Sequence, residues 1–571
     1  MANISSSMIN SLSRKFLILH VPVLLSLYVL TDNETNNAST TTTRHLAVFT
    51  ALSRHLPAMR IFRGLAEIVL MGLCASFSLF FLEPIVGEDV LHRLFFDIPC
   101  TINENDGPSS DGDRGPYALA SMEETIDEND GSDEEENNDE DKKKRITKGV
   151  NENTKNRPSP SFVICNIMLD LLLFILISLF LFTISSSAGG QYIDQTSARQ
   201  ESNGILSRIG NIAAPTFPLL LYLVYIVRLV FPWTHRKRCI YTVLSYSIGA
   251  PFYKVEFRDG FIGDILTSMV KPMQDMAYTS FYLMSGLQGW WVYRDLTRED
   301  VMNAPMEKSW LLHTVVLPAC AVSPLWWRFC QCLRQCYDTK KRWPYLGNAA
   351  KYFLAAQVVM FGAFDPQKTG SIIWILAFVV TTLYQLWWDI VLDWELFVFS
   401  RDSGRFELRP QRLFRGKAIY IFILVVNCFL RFGWTMTVMP VKYLSPSGDL
   451  LNTFSTNFDN FISPILACTE IIRRTLWGIL RIELEAIKLK HKEDATAFDI
   501  SANCIEMKMS VGQPSNKSTF GIGSNLEATS DILLNDSASS VHDVQLTWEL
   551  MMYATVFSAL GIVAAVHRQV M

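Results

Sequence analysis

Charge is what this sequence has least of: only 19% of its 571 residues are charged, against 49% hydrophobic and 12% aromatic. That balance is too apolar for a soluble chain of this length. It also contains no G-x-x-x-x-G-K-[ST] loop, no G-x-S-x-G elbow, no H-E-x-x-H pair and no dinucleotide fingerprint, so ATP-driven and hydrolytic chemistry have no motif to rest on. A disulfide framework is missing as well. Several of the 11 cysteines (Cys74, Cys165, Cys320, Cys428, Cys468) sit inside apolar runs, where a thiol behaves as a small hydrophobe. Cys330, Cys332 and Cys336 cluster as C-x-C-x3-C, but with no histidine near them they lack zinc-site spacing. Neither an enzyme, a metal, a cofactor nor a nucleic-acid partner is expected.

Long apolar runs are abundant. A spanning helix needs about 20 mainly apolar residues, and candidates lie near 14–31, 63–85, 161–186, 212–233, 259–287, 310–327, 345–364, 371–397, 417–440 and 459–482. The expected fold is therefore an all-α membrane protein of about ten transmembrane helices. The first run lacks an A-x-A cleavage site and precedes the acceptor sequences at Asn33 and Asn37, which favours an uncleaved helix followed by a lumenal loop. With the N-terminus in the cytosol, Lys142–Arg145, Arg236–Arg238, Lys340–Arg342 and Arg405–Lys417 all fall on the cytosolic side, as the positive-inside rule requires.

The net charge of -5 is a misleading average, because the acidity is packed into Met122–Asp141. Residues 103–160 are too polar to bury a core and read as a disordered cytosolic loop. The expected organisation is 1–102 with the first two spans, the acidic loop 103–160, 161–250 with the third and fourth spans, 251–489 as a transport domain, and a polar tail 490–571. Within that tail Leu550–Val566 is apolar, and an eleventh span, a surface helix and a docking segment remain equally open.

Charges inside spanning helices cost several kcal/mol unless paired or facing water, so each is a functional candidate. Asp389 and Asp393 lie four apart on one expected helical face, and Glu470, Arg473 and Arg474 lie within one turn. Asp264, Lys351 and Arg431 add one charge on each of three further helices. Ion pairs that only hold helices together, or snorkelling at helix ends, are the competing explanation. Arg431 resists it, since Ala418–Thr437 contains no other charge. Guanidinium forks suit an oxyanion such as phosphate, with Lys351 as a point charge and carboxylates holding the cations in place. Trp434 and Tyr352 stand beside Arg431 and Lys351 as stacking or donor groups, although core or interfacial packing is the commoner fate of such rings. Arg473 and Arg474 point about 100° apart. One is expected to contact the anion and the other to pair with Glu470, Asp389 or Asp393.

The run PLWWRFCQCLRQCYDTKKRWPYLGNAAKY, Pro324–Tyr352, closely resembles the signature of EXS-domain proteins, the family of eukaryotic phosphate exporters and of a yeast Golgi protein that retains lumenal ER proteins. The resemblance continues through APFYKVEFRDGFIGDILTS (250–268), WWDIVLDWELF (387–397), FLRFGWT (429–435) and EIIRRTLWGILRIELE (470–485), and more weakly back to RIFRG (60–64). It implies a ten-helix plan with the EXS domain formed by the C-terminal six helices. It also implies that Asp264, Lys351, Tyr352, Asp389, Asp393, Arg431, Trp434, Glu470, Arg473 and Arg474 line a phosphate path. Many relatives carry an N-terminal SPX sensor where only about a dozen residues precede the first run here, so regulation by that sensor is not expected. The SPX-less arrangement resembles the Golgi branch, which implies return of lumenal phosphate to the cytosol. Two alternatives stand beside this reading: a plasma-membrane exporter, and a scaffold that recruits Golgi glycosyltransferases or trafficking proteins without transport. Whether the chain forms a homodimer through its first four helices is left open.

Overall fold

A computed structural model describes residues 55–95, 160–188, 205–230, 235–250, 252–284, 309–364, 372–400, 404–433, 463–510 and 544–561, together with 14–15, 18, 52, 290 and 563. The chain is an all-α membrane protein, and among the described residues four helices are long and apolar enough to cross a bilayer: Leu56–Val86, Ser161–Ser186, Arg208–Arg228 and Ile372–Asp393. Most of the expected first span, the acidic loop 103–159 and Trp434 lie outside the described residues.

Helix α1 (Leu56–Val86) begins where Pro57 fits the first turn and the His55 ring accepts from the Ala58 N–H at 3.1 Å. It ends at Gly87, whose φ of 97° suits a residue without Cβ. Helix α2 (Glu88–Phe95) follows it directly. Helices α3 (Pro160–Ala188) and α4 (Ile205–Val230) pack with α1 and with α7 (Val270–Met284) around Ile61, Leu65, Phe182 and Tyr222. His55 Nε2 meets the Trp290 carbonyl at 2.6 Å, and the Trp290 indole donates to the Pro215 carbonyl at 2.8 Å, which closes one end of this bundle.

The remaining elements form the second half. They are α5 (His235–Ile248), α6 (Phe257–Thr267), α8 (Leu317–Thr339), α9 (Tyr345–Phe364), α10 (Ile372–Trp388), α11 (Lys417–Gly433), α12 (Ser463–Ser510) and α13 (544–561). A two-stranded antiparallel hairpin, β1 (Phe397–Ser400) and β2 (Arg405–Leu408), joins α10 to α11. Helix α8 packs along α9, and α12 lies against both α1 and α11. Leu546, Leu550 and Phe557 of α13 are buried among α8 and α9 side chains, with the Phe557 ring 4.8 Å from that of Phe329.

Two expectations are corrected. The run 259–287 is not one helix: α6 stops at Thr267 and α7 starts at Val270. Pro272 has no N–H and its ring crowds the carbonyl four residues back, at Ser268, which is where the helix breaks. Likewise 371–397 is helical only to Trp388 and then widens into a π-helical turn over Asp389–Asp393, closed by the Trp394 N–H on the Asp389 carbonyl at 3.0 Å.

Candidate functional site

Helices α6, α8, α9, α11 and α12, with the π turn after α10, converge on a buried set of opposite charges. On one side Arg328 of α8 donates through Nε to Asp264 at 3.0 Å and to the Tyr352 hydroxyl at 3.1 Å. The Tyr352 hydroxyl also donates to Asp264. Gln331, one turn along α8, accepts from Arg328, and its own amide donates to the carbonyls of Ser247 at 2.7 Å and Asp259 at 3.1 Å. Arg328 is thereby held from two directions. The fit needs Gly263, where a Cβ would come within 2.5 Å of the Arg328 side chain.

On the other side Asp389 receives Arg431 Nη2 at 2.6 Å and the Asn427 amide at 3.3 Å, with Arg473 at 3.7 Å. Arg473 is fully buried. It grips Glu470 with two parallel bonds of 2.7 Å and reaches the Asn427 carbonyl oxygen at 2.9 Å. Fork-to-carboxylate geometry of this kind is the strongest ion-pair arrangement available to side chains.

Asp389 and Asp393 do not serve one common face as a regular helix would place them. The π turn sends Asp389 to Arg431 and Arg473, whereas Asp393 lies 3.9 Å from Lys351 and accepts from the Trp477 indole at 3.2 Å. Lys351 sits over the rings of Tyr352 and Trp388, at 4.7 and 5.4 Å from their centroids. The close approach of α9 to Trp388 is set at Gly347, where a Cβ would meet the Trp388 ring at 2.9 Å.

Arg474 turns away from its neighbour. Its Nε donates to the Ser268 hydroxyl and its Nη2 to the Thr267 hydroxyl, both at 3.0 Å, at the break between α6 and α7. The Ser268 hydroxyl in turn donates to Glu470 at 2.9 Å. Of the two adjacent arginines, Arg473 is the one that pairs with Glu470, while Arg474 rests on neutral hydroxyls and over the Trp477 ring.

Nine of the ten sequence candidates, all but Trp434, thus join one network. Sequence reasoning missed Arg328, Gln331, Asn427, Thr267, Ser268 and Trp477. Arg328 had a signal, as a charge on an expected span end within the quoted family run. The uncharged partners carried none, because hydroxyls and amides in apolar helices have no spacing that marks them.

The network holds more positive than negative charge: Arg328, Lys351, Arg431, Arg473 and Arg474 stand against Asp264, Asp389, Asp393 and Glu470. One donor is also left over, since Arg431 Nε is buried with no acceptor among the described residues. A buried cation surplus is costly by itself and is relieved by an anion.

The sequence profile of the EXS family matches residues 58–487. The chain belongs to the EXS family. The match reaches back through α1, beyond the C-terminal helices that carry the strongest motifs. SPX and EXS domain-containing protein 1 of Dictyostelium discoideum is 32% identical over 292 residues, which are 49% of this chain and 29% of that protein. The Xenopus laevis xenotropic and polytropic retrovirus receptor 1 homolog is 31% identical over 281 residues, 47% of this chain and 38% of the relative. Human solute carrier family 53 member 1 is 28% identical over 295 residues, 48% and 40% of the two chains. The aligned region is therefore less than half the length of each of these relatives.

Proposed function

We propose that this EXS-family chain carries inorganic phosphate through the membrane along the charged network of α6 and α8–α12. The observation that carries the reading is the cation surplus, in which Arg474 has hydroxyl partners instead of a carboxylate and Arg431 keeps a buried donor without an acceptor among the described residues. Phosphate presents several oxygens to guanidinium forks, and Lys351 adds a point charge. The carboxylates keep the arginines oriented between passing anions, so each anion meets a preset cradle and not a set of loose side chains. Asp264, Lys351, Tyr352, Asp389, Asp393, Arg431, Glu470, Arg473 and Arg474 line this path, with Trp434 as a further wall residue. Arg328 is added as the residue that holds Asp264 and Tyr352.

The reading extends to a Golgi-type membrane, with movement from lumen to cytosol. Its support is the resemblance to the Golgi member of the family for the compartment, and the orientation given by the basic loops for the side that faces the cytosol. The solute-carrier name of one relative supports transport alone. The test is phosphate flux by purified protein in proteoliposomes, with imaging of the tagged chain for the compartment. Vesicles holding folded protein that show no flux above protein-free vesicles overturn the transport reading. A plasma-membrane signal overturns the compartment alone.

A further inference from the structure

The β1–β2 hairpin takes no part in the charged network, yet it is firmly rooted. Arg409, just after β2, donates to the Trp394 carbonyl at 2.7 Å and to Glu483 of α12 at 2.5 Å, and the same carboxylate accepts the Leu413 N–H at 2.7 Å. The Arg409 N–H closes the base on the Leu396 carbonyl at 3.0 Å. From this root the strands project with a sharp division of faces. The register pairs Phe397 with Leu408 and Phe399 with Phe406, which puts three phenylalanines and a leucine on one face, while Val398, Ser400, Arg405 and Glu407 fall on the other.

That aromatic face is uncovered: Phe406 is 73% exposed, Phe399 54% and Phe397 41%. The Phe399 and Phe406 rings pack edge to face at 5.4 Å, so they present one continuous apolar surface. The hairpin follows the candidate span Ile372–Asp393 and precedes Lys417, the first residue of α11, whose sequence is expected to span. With both read as spans, the hairpin falls at the membrane–water boundary. Arg412, Arg415 and Lys417 follow it in the chain, while Arg409 is committed to Glu483. Arg412 keeps a buried guanidinium nitrogen, Nη1, with no acceptor among the described residues.

An exposed apolar face followed in the chain by Arg412, Arg415 and Lys417 fits a phospholipid leaflet, with rings among the upper acyl chains and cations on anionic headgroups. We propose that the β1–β2 hairpin is a membrane-surface anchor whose Phe397, Phe399 and Phe406 enter the leaflet on the basic-loop side, with Arg412, Arg415 and Lys417 taking anionic phospholipid headgroups. The anchor does not depend on which solute the path carries.

The test uses the full chain in nanodiscs, with a fluorescent amino acid incorporated at position 406 or, on the opposite face, at 407. The probe at 406 should lose intensity to a quencher attached high on the lipid chains and resist aqueous iodide, and the probe at 407 should do the reverse. Including phosphatidylserine should strengthen the lipid quenching at 406, and Arg412→Ala with Arg415→Ala should remove that increment. Equal access of iodide to both positions overturns the anchor. Shelter of position 406 from both quenchers overturns it too, because protein then covers the face. Quenching at 406 that is indifferent to phosphatidylserine overturns the headgroup assignment.

Discussion

The adjacent arginines of α12 offer the sharpest test, because lysine keeps the charge and removes the fork. Arg473→Lys breaks two parallel bonds of 2.7 Å to Glu470 and one of 2.9 Å to Asn427 inside a fully buried site. Disrupting a buried pair costs about 3–5 kcal/mol when a partner is removed outright, and a retained ammonium recovers part of that. The expected result is a clear fall in melting temperature in detergent, with flux falling in step with the folded fraction. Arg474→Lys loses only two bonds to hydroxyls at 3.0 Å within the protein. Its melting temperature should stay close to wild type. If Arg474 also holds phosphate by its fork, losing one charge-assisted bond of about 1.5–3 kcal/mol lowers flux by roughly 10- to 160-fold. The assay is radiolabelled phosphate flux into proteoliposomes at matched folded protein, across a range of phosphate concentrations. Wild-type flux in Arg474→Lys would refute the assignment of its fork to the anion. A flux defect confined to Arg473→Lys, with stability intact, would reverse the two roles.

Arg431→Ala should abolish flux while leaving a folded protein, since Asp389 keeps Arg473 and Asn427 as partners; size-exclusion profile and flux together check this. Asp389→Asn and Asp393→Asn should alter flux differently from each other, because their partners are Arg431 and Arg473 in one case and Lys351 in the other. Identical flux–pH profiles for the two variants would count against that division. Gly263→Ala should push Arg328 off Asp264 and destabilise the protein by about 1–3 kcal/mol, read as a lower melting temperature. Glu483→Ala should be more damaging, at about 3–5 kcal/mol, because Arg409, Tyr420 and the Leu413 N–H all lose their acceptor.

Much of this architecture was legible because a charge in an apolar run announces itself. Asp264, Lys351, Asp389 and Arg431 stand out against their helices, and the network assembles them through neighbours of opposite sign. The local backbone was less legible. Nothing in the 371–397 run signals a π turn, since its cost is offset by tertiary contacts of Asp389 and Asp393 that periodicity does not encode. Pro272 did carry a warning of the α6–α7 break, but an apolar run bridged it. The hydroxyls of Thr267 and Ser268 became site residues only because that break exposes them to Arg474.

Helix α12 runs unbroken for 48 residues from Ser463 to Ser510. At about 1.5 Å per residue that rod is ~72 Å long, against a hydrocarbon core of about 30 Å. One end bears Glu470, Arg473 and Arg474, and the middle is clamped by Glu483 to Arg409 and by Lys488 to Glu395 at 2.6 Å. Further along the same rod Glu493 pairs with Arg93 of α2, so one continuous helix ties the arginine cluster, the root of the hairpin and the end of the first bundle to a single axis.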